Sequence, residues 1–102
     1  VNNRDSGLLK KIRKMICCAC GADAPSQAAH SNFMCHGKGR GIKADDRYTI
    51  PLCANCHQNL DQNLLQQTRQ QQLDWFNERL ASTNETLKRL EDAAIQNYPE
   101  SF

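Results

Sequence analysis

At 102 residues, of which 39% are hydrophobic, 24% charged and 6% aromatic, the chain reads as one small globular domain with at most an arm or a tail. A fold of this size buries only about 60–70% of its unfolded surface, so its core is modest and gains from an added cross-link. No stretch approaches the roughly 18 apolar residues of a membrane span, and no signal-peptide pattern follows Val1; a first residue other than Met leaves both trimming and a signal ahead of it open. The net charge of +2 hides an asymmetry: residues 1–56 carry nine Lys or Arg against four Asp, and residues 57–102 carry four against seven acids. A basic half suits a polyanion partner, because phosphate contacts dominate nucleic-acid affinity; a solvated charged surface is the alternative.

In chain order, residues 1–14 form a basic N-terminal arm, Lys10-Lys11-Ile12-Arg13-Lys14 being either a short helix or a flexible segment. Residues 21–47 hold Pro25 and four of the five glycines, which predicts turns and short strands. Tyr48-Thr49-Ile50-Pro51-Leu52 is a β-prone run. From Leu52 to Tyr98 there is no Gly or Pro, and helix formers dominate. Leu73, Phe76, Leu80, Thr83, Leu87, Leu90 and Ala94 recur at alternating steps of three and four, the pattern of one long amphipathic helix or a coiled-coil seam. Ser82-Thr83-Asn84-Glu85 reads as a capping box that interrupts it, so separate helices are expected over 54–65, 68–81 and 84–97. Trp75 and Phe76 read as helix core.

The six cysteines are Cys17, Cys18, Cys20, Cys35, Cys53 and Cys56. Four of them form two tight brackets, Cys17-x-x-Cys20 followed by Gly21, and Cys53-x-x-Cys56. Four soft thiolates suit tetrahedral Zn²⁺, with sulfurs at about 2.3 Å, and the metal supplies stability that a small core lacks. Disulfide pairing or a redox role is the competing use of the same residues. Cys18 is then a buried filler or spare ligand, and Cys35 an unassigned thiol.

His57 follows Cys56 directly, and Asp61 lies one helical turn on. On a helix starting near Ala54 the two share a face and can hold a divalent metal with positions left open for water and substrate. His30 stands between the brackets, ahead of a loop rich in glycine and cations.

This order of Cys-x-x-Cys, His30, basic glycine loop, Cys-x-x-Cys-His57 and Asp61 resembles the HNH nucleases, the ββα-metal or His-Me finger group. The stretches Gly39-Arg40-Gly41-Ile42-Lys43-Ala44-Asp45-Asp46 and Arg47-Tyr48-Thr49-Ile50-Pro51-Leu52-Cys53 look like its phage and prophage branch, which includes the recombination-enhancement nuclease Ref. The resemblance covers about residues 15–65 and weakens into a helical tail over 66–102. It implies an α+β fold, a zinc-stabilised treble-clef ββα-metal core, and a metal-dependent DNA endonuclease or nickase acting in phage or prophage DNA recombination or processing. By position, His30 matches the general base, and His57 with Asp61 match the ligands of a catalytic Mg²⁺ or Mn²⁺.

Two departures stand out: Ala29 occupies the place where many members carry a second metal ligand, and the central Asn of the name is missing. Asp46 is the nearest candidate for its orienting role. His36 is a competing base. Lys38, Arg40, Lys43 and Arg47 are expected to hold DNA phosphates without reading sequence. DNA is the implied partner, with a recombination protein or a second copy bound through the C-terminal helices, no membrane, and the cytoplasm of a bacterial or phage-infected cell as the setting. The alternative is a non-catalytic zinc-stabilised DNA-binding or adaptor module.

Overall fold

A β-branched residue at every second place would make an ideal strand, and Thr49 to Leu52 comes close: it forms β2, all four residues buried, in a computed structural model that describes residues 2–96. β2 pairs antiparallel with β1 (Gln27–His30), setting Ala29 against Ile50 and His30 against Thr49. Pro51 has no N–H to give, and its carbonyl instead accepts from Cys18 N at 2.9 Å, which covers the outer edge of β2.

Three helices surround this hairpin, giving a small α+β fold: α1 (Ser6–Arg13), α2 (Ala54–Gln62) and α3 (Arg69–Gln96). The segment left open between helix and arm is therefore helical. Asp5 caps α1 by accepting from Leu8 N at 3.0 Å, and Lys10, Lys11 and Arg13 lie in its last turn, where cations favour the helix dipole. Ile12 is its buried anchor. A 3₁₀ turn (Met34–His36) and an irregular loop join the two strands.

The core lies on one face of the hairpin, where Ala29, Ile50 and Leu52 meet Phe33, Phe76, Leu80 and Cys17. Phe76 is fully buried, and Trp75 is half-buried beneath the Arg79 guanidinium, 5.1 Å from its ring centre.

The expected break at Ser82 does not occur, and the separate helices over 68–81 and 84–97 are one helix, α3, as far as Gln96. Residues 97–102, with Val1, lie outside the described residues. Thr83, assigned to the interruption, is buried with Leu80 against the core, so a break there would forfeit burial that a cap cannot replace. The working capping box is fourteen residues earlier: Thr68 Oγ1 accepts from Gln71 N at 3.1 Å, and Gln71 Oε1 accepts from Thr68 N at 2.9 Å. The three-and-four stripe is buried at Phe76, Leu80 and Thr83 and emerges at Leu90, which is 55% exposed. No helix among the described residues is long and apolar enough to cross a membrane.

Candidate metal centre and adjoining cleft

The two cysteine brackets meet in space. One sulfur from each of Cys17, Cys20, Cys53 and Cys56 falls within 4.8 Å of all the others, and Cys20 Sγ lies 3.7 Å from Cys53 Sγ. Each bracket turns its own amide onto its first sulfur: Cys20 N donates to Cys17 Sγ and Cys56 N to Cys53 Sγ, both at 3.5 Å. Cys53 is also the N-cap of α2, so the helix begins on the cluster itself. Gly21 follows the first bracket in the left-handed region (φ +80°), a turn open to glycine at no steric cost.

Four thiols this close cannot all ionise unaided. Burial pushes Cys17 up, but N–H donors from Cys53, Cys20 and Ala19 outweigh it and draw the thiol down to about 6. Burial, and then the neighbouring sulfurs, push Cys56 strongly up. A divalent cation would let all four ionise together, and the donor set is one that could bind a structural metal such as zinc. Cys18 stands outside the four. Burial and the Cys17 charge push its thiol up to about 11, which keeps it neutral beside Thr83. Cys35 is exposed and outside the cluster.

Beside this centre lies a cleft of about 300 Å³ lined by Ala28, His30, Ser31, Asn32, Lys38, Lys43, His57 and Asp61. It gathers side chains from β1, from the following loop and from α2. His30, at the end of β1, presents Nε2 to Asp46 Oδ1 at 2.7 Å. Asp46 is almost fully buried and also accepts from Arg4 Nη1 at 2.9 Å and from Asp5 N at 2.6 Å. Burial pushes its carboxyl up, and those three donors more than offset this, holding it below the usual carboxylate range. An ionised Asp46 can only accept, so His30 Nε2 carries a proton, and in the neutral ring the lone pair falls to Nδ1.

On α2, His57 Nε2 lies 3.4 Å from Asp61 Oδ2, the contact expected one turn apart. The other ring nitrogen of His57, Nδ1, meets Gln27 Oε1 at 2.7 Å, and Asp61 Oδ1 accepts from Asn32 Nδ2 at 3.0 Å. Arg69 at the start of α3 holds Asn32 in turn, donating to its carbonyl at 2.9 Å.

Of the four cations expected at phosphates, Lys38 and Lys43 line the cleft. Arg40 is exposed on the loop outside it, and Arg47 turns away to Asp45, with Nε at 3.1 Å from Oδ1. His36, the competing base, is buried in an aromatic setting: its ring stacks on Tyr48 with centres 4.4 Å apart, and Nδ1 meets Ser31 Oγ at 2.6 Å. Burial lowers its pKa, as befits a core imidazole.

Arg4, Gln27 and Asn32 escape sequence reasoning, because each reaches the site from a distant segment and none belongs to a local motif. The Asp45 and Asp46 carboxylates that tie down this region carry an acid-stability consequence. Backbone and side-chain donors of Arg47, with Asn3 N, pull Asp45 down to about 2. A depressed carboxylate contributes stability above its unfolded value of about 3.9 and loses it as pH falls through the folded value. The difference in Tm between wild type and Asp45→Asn should therefore be constant near neutrality and shrink from about pH 4 to about pH 2.

Neither the curated proteins nor the solved structures give a match to this chain. A family model described as "Protein of unknown function (DUF968)" matches residues 4–95, a span that takes in Arg4, all four clustered cysteines and the whole cleft. The chain belongs to the DUF968 family.

Proposed function

We propose that this protein is a metal-dependent DNA endonuclease or nickase of HNH type, related to the phage and prophage branch of that group. In this assignment Cys17, Cys20, Cys53 and Cys56 hold a structural Zn²⁺, and the hairpin with α2 is a treble-clef ββα-metal core. The observation that carries the proposal is the shared cleft: an imidazole from β1, an imidazole and a carboxylate from α2, and two lysines from the loop between the strands all line it.

The donor set at His57 and Asp61 suits a divalent metal. Gln27 Oε1 accepts from His57 Nδ1, which leaves Nε2 as the ring nitrogen a neutral His57 offers to a cation, and Nε2 stands 3.4 Å from an oxygen of Asp61. Adjacent ligands of an octahedral ion at about 2.1 Å stand about 3 Å apart, so a hard cation fits between them with little adjustment. Asn32 and Gln27 hold the two ligands in place, as outer partners of metal ligands do.

The reaction is hydrolysis of a phosphodiester. His30 Nδ1 takes a proton from a water whose oxygen attacks phosphorus, and the bond from phosphorus to the 3′ oxygen breaks. The products are a 5′-phosphate and a 3′-hydroxyl, the leaving 3′ oxygen taking its proton from solvent water while His30 later returns its own to solvent. A metal bound at His57 and Asp61 supplies charge stabilisation at the phosphoryl and leaving oxygens. Asp46 keeps His30 in the tautomer that leaves Nδ1 basic, and stabilises the imidazolium that forms. Lys38 and Lys43 draw the backbone into the cleft.

The direct test is incubation of the purified zinc-loaded chain with supercoiled plasmid and Mg²⁺ or Mn²⁺. Nicked or linear product is expected. Tight DNA binding with no cleavage under any metal or DNA form would instead favour the non-catalytic zinc-stabilised binding or adaptor module. The lysines give a second measurement. Lys38→Ala with Lys43→Ala should weaken binding equally on all sequences and lower the slope of log affinity against log salt by about two, one unit per phosphate contact. An unchanged slope would place the DNA elsewhere.

A further inference from the structure

We propose that residues 2–5, which precede α1, form a strap that positions the catalytic loop, and that Arg4 acts through Asp46 as a positioning residue for His30. This rests on His30 being the general base.

The strap is stitched to the loop between β1 and β2 along its whole length. Asn2 Nδ2 donates to the carbonyls of Gly37 and Lys43, both at 2.8 Å. Asn3 exchanges backbone and carboxylate contacts with the two aspartates, its N–H reaching Asp45 Oδ2 at 2.9 Å and its carbonyl accepting from Asp46 N at 3.1 Å. Arg4 forks over the loop, with Nη1 at 2.7 Å from Ala44 O and Nη2 at 2.9 Å from Lys43 O. Gly37 makes room for this. It sits at φ +92°, and a Cβ there would collide with the Asn2 side chain.

A strap needed only for stability could end on backbone carbonyls. This one goes further, because Arg4 Nη1 reaches Asp46 Oδ1, the same oxygen that His30 Nε2 uses. The Asp5 amide occupies the other oxygen, so the carboxylate has no free rotation and only one direction in which to meet the imidazole. A guanidinium beside a buried carboxylate keeps it an anion, and an anion accepts the Nε2 proton rather than offering one. The tautomer of His30 is thus set by a residue 26 positions earlier in the chain, on a segment outside the strand-loop-helix unit that carries the chemistry. Lys43 is held by the same fork through its carbonyl, which couples a phosphate-facing cation to the same anchor.

The test uses the full zinc-loaded chain and two variants, Arg4→Ala and Arg4→Lys, with far-UV circular dichroism to establish that each folds. The first readout is the tautomer of His30 from long-range ¹H–¹⁵N correlations of its ring at about pH 8, where an ordinary imidazole is neutral. Wild type should show a single species protonated at Nε2, and Arg4→Ala a mixture of both tautomers. The second readout is plasmid cleavage, in which Arg4→Ala should lower kcat by about 10–100-fold, as loss of an outer partner does, with KM within about twofold. Arg4→Lys keeps the charge and one donor and should recover part of both signals. Should Arg4→Ala fail to fold, Arg4→Lys is compared with wild type, and an intermediate tautomer mixture is the expected result. A ring spectrum and kcat unchanged in the folded variants would overturn the strap while leaving the nuclease assignment intact. If wild type cleaves nothing, the nuclease assignment falls and the ring spectrum alone decides whether Arg4 governs His30.

Discussion

With the proposed zinc in the four-cysteine cluster, removing that metal is expected to unfold the domain outright. Three parts of the fold converge there: Cys17 belongs to the buried core, Cys53 caps α2, and Cys18 closes the outer edge of β2. Structural Zn²⁺ contributes about 10–16 kcal/mol of apparent binding energy in small zinc domains, against a total stability of about 5–15 kcal/mol for a typical domain. Chelation should therefore collapse the helical circular-dichroism signal, and re-addition of Zn²⁺ should restore it. Elemental analysis should find about one zinc per chain, a stoichiometry set by four thiolates around one ion. Cys53→Ser, which removes a ligand and a cap together, should give little folded protein. Cys35→Ser should leave Tm nearly unchanged, because that thiol is exposed and outside the cluster. A chain that keeps its fold in excess chelator, with its cysteines titrating as disulfides, would overturn the zinc assignment.

His30→Ala and Asp61→Ala are expected to fail in different ways. His30 lies at the end of β1 with a partly exposed ring, so its truncation should spare fold and zinc content. Loss of a general base costs about 10²–10⁴-fold in rate, and DNA binding should remain near wild type because the base acts in the transition state. Asp61 is half-exposed on α2 and is proposed as a metal ligand. Asp61→Ala should shift cleavage to higher Mg²⁺ or Mn²⁺ concentration, and excess metal should restore part of the rate. Normal cleavage by His30→Ala would mean that the base lies elsewhere. His36→Ala is the control: its ring supports Tyr48 and Phe76, so the loss should appear in Tm first.

Much of the cysteine cluster was legible because its thiols come in local brackets whose spacing carries the chemistry. The same holds for β2 and for the start of α2, where the i, i+4 step predicts the His57–Asp61 contact that the structure contains. What resisted reading was of two kinds. The course of α3 was obscured by the capping-box pattern at Ser82–Glu85, the same local chemistry that Thr68 and Gln71 use where the helix does begin. Only the tertiary burial of Leu80 and Thr83 shows that the helix runs on through Ser82. The support of the cleft was hidden by distance, since Arg4 meets Asp46 across 42 positions and Asn32 meets Asp61 across 29. Hydrogen bonds of that kind leave no periodic trace in a single sequence.

The two brackets also flank everything that lines the cleft before α2. Residues 21–52, with both strands and the loop that carries Lys38 and Lys43, form a closed ring whenever a metal joins Cys20 to Cys53. A cross-link over a loop of this length removes chain entropy worth roughly 4 kcal/mol from the unfolded ensemble. Ligation and hairpin formation are therefore linked equilibria, and linkage is reciprocal. A substitution that weakens the hairpin, however far from sulfur, will raise the free metal concentration at which the chain folds. Metal titration thus becomes a gauge of cleft integrity: a variant that loses cleavage but keeps the wild-type titration midpoint has lost chemistry, and one whose midpoint moves has lost architecture.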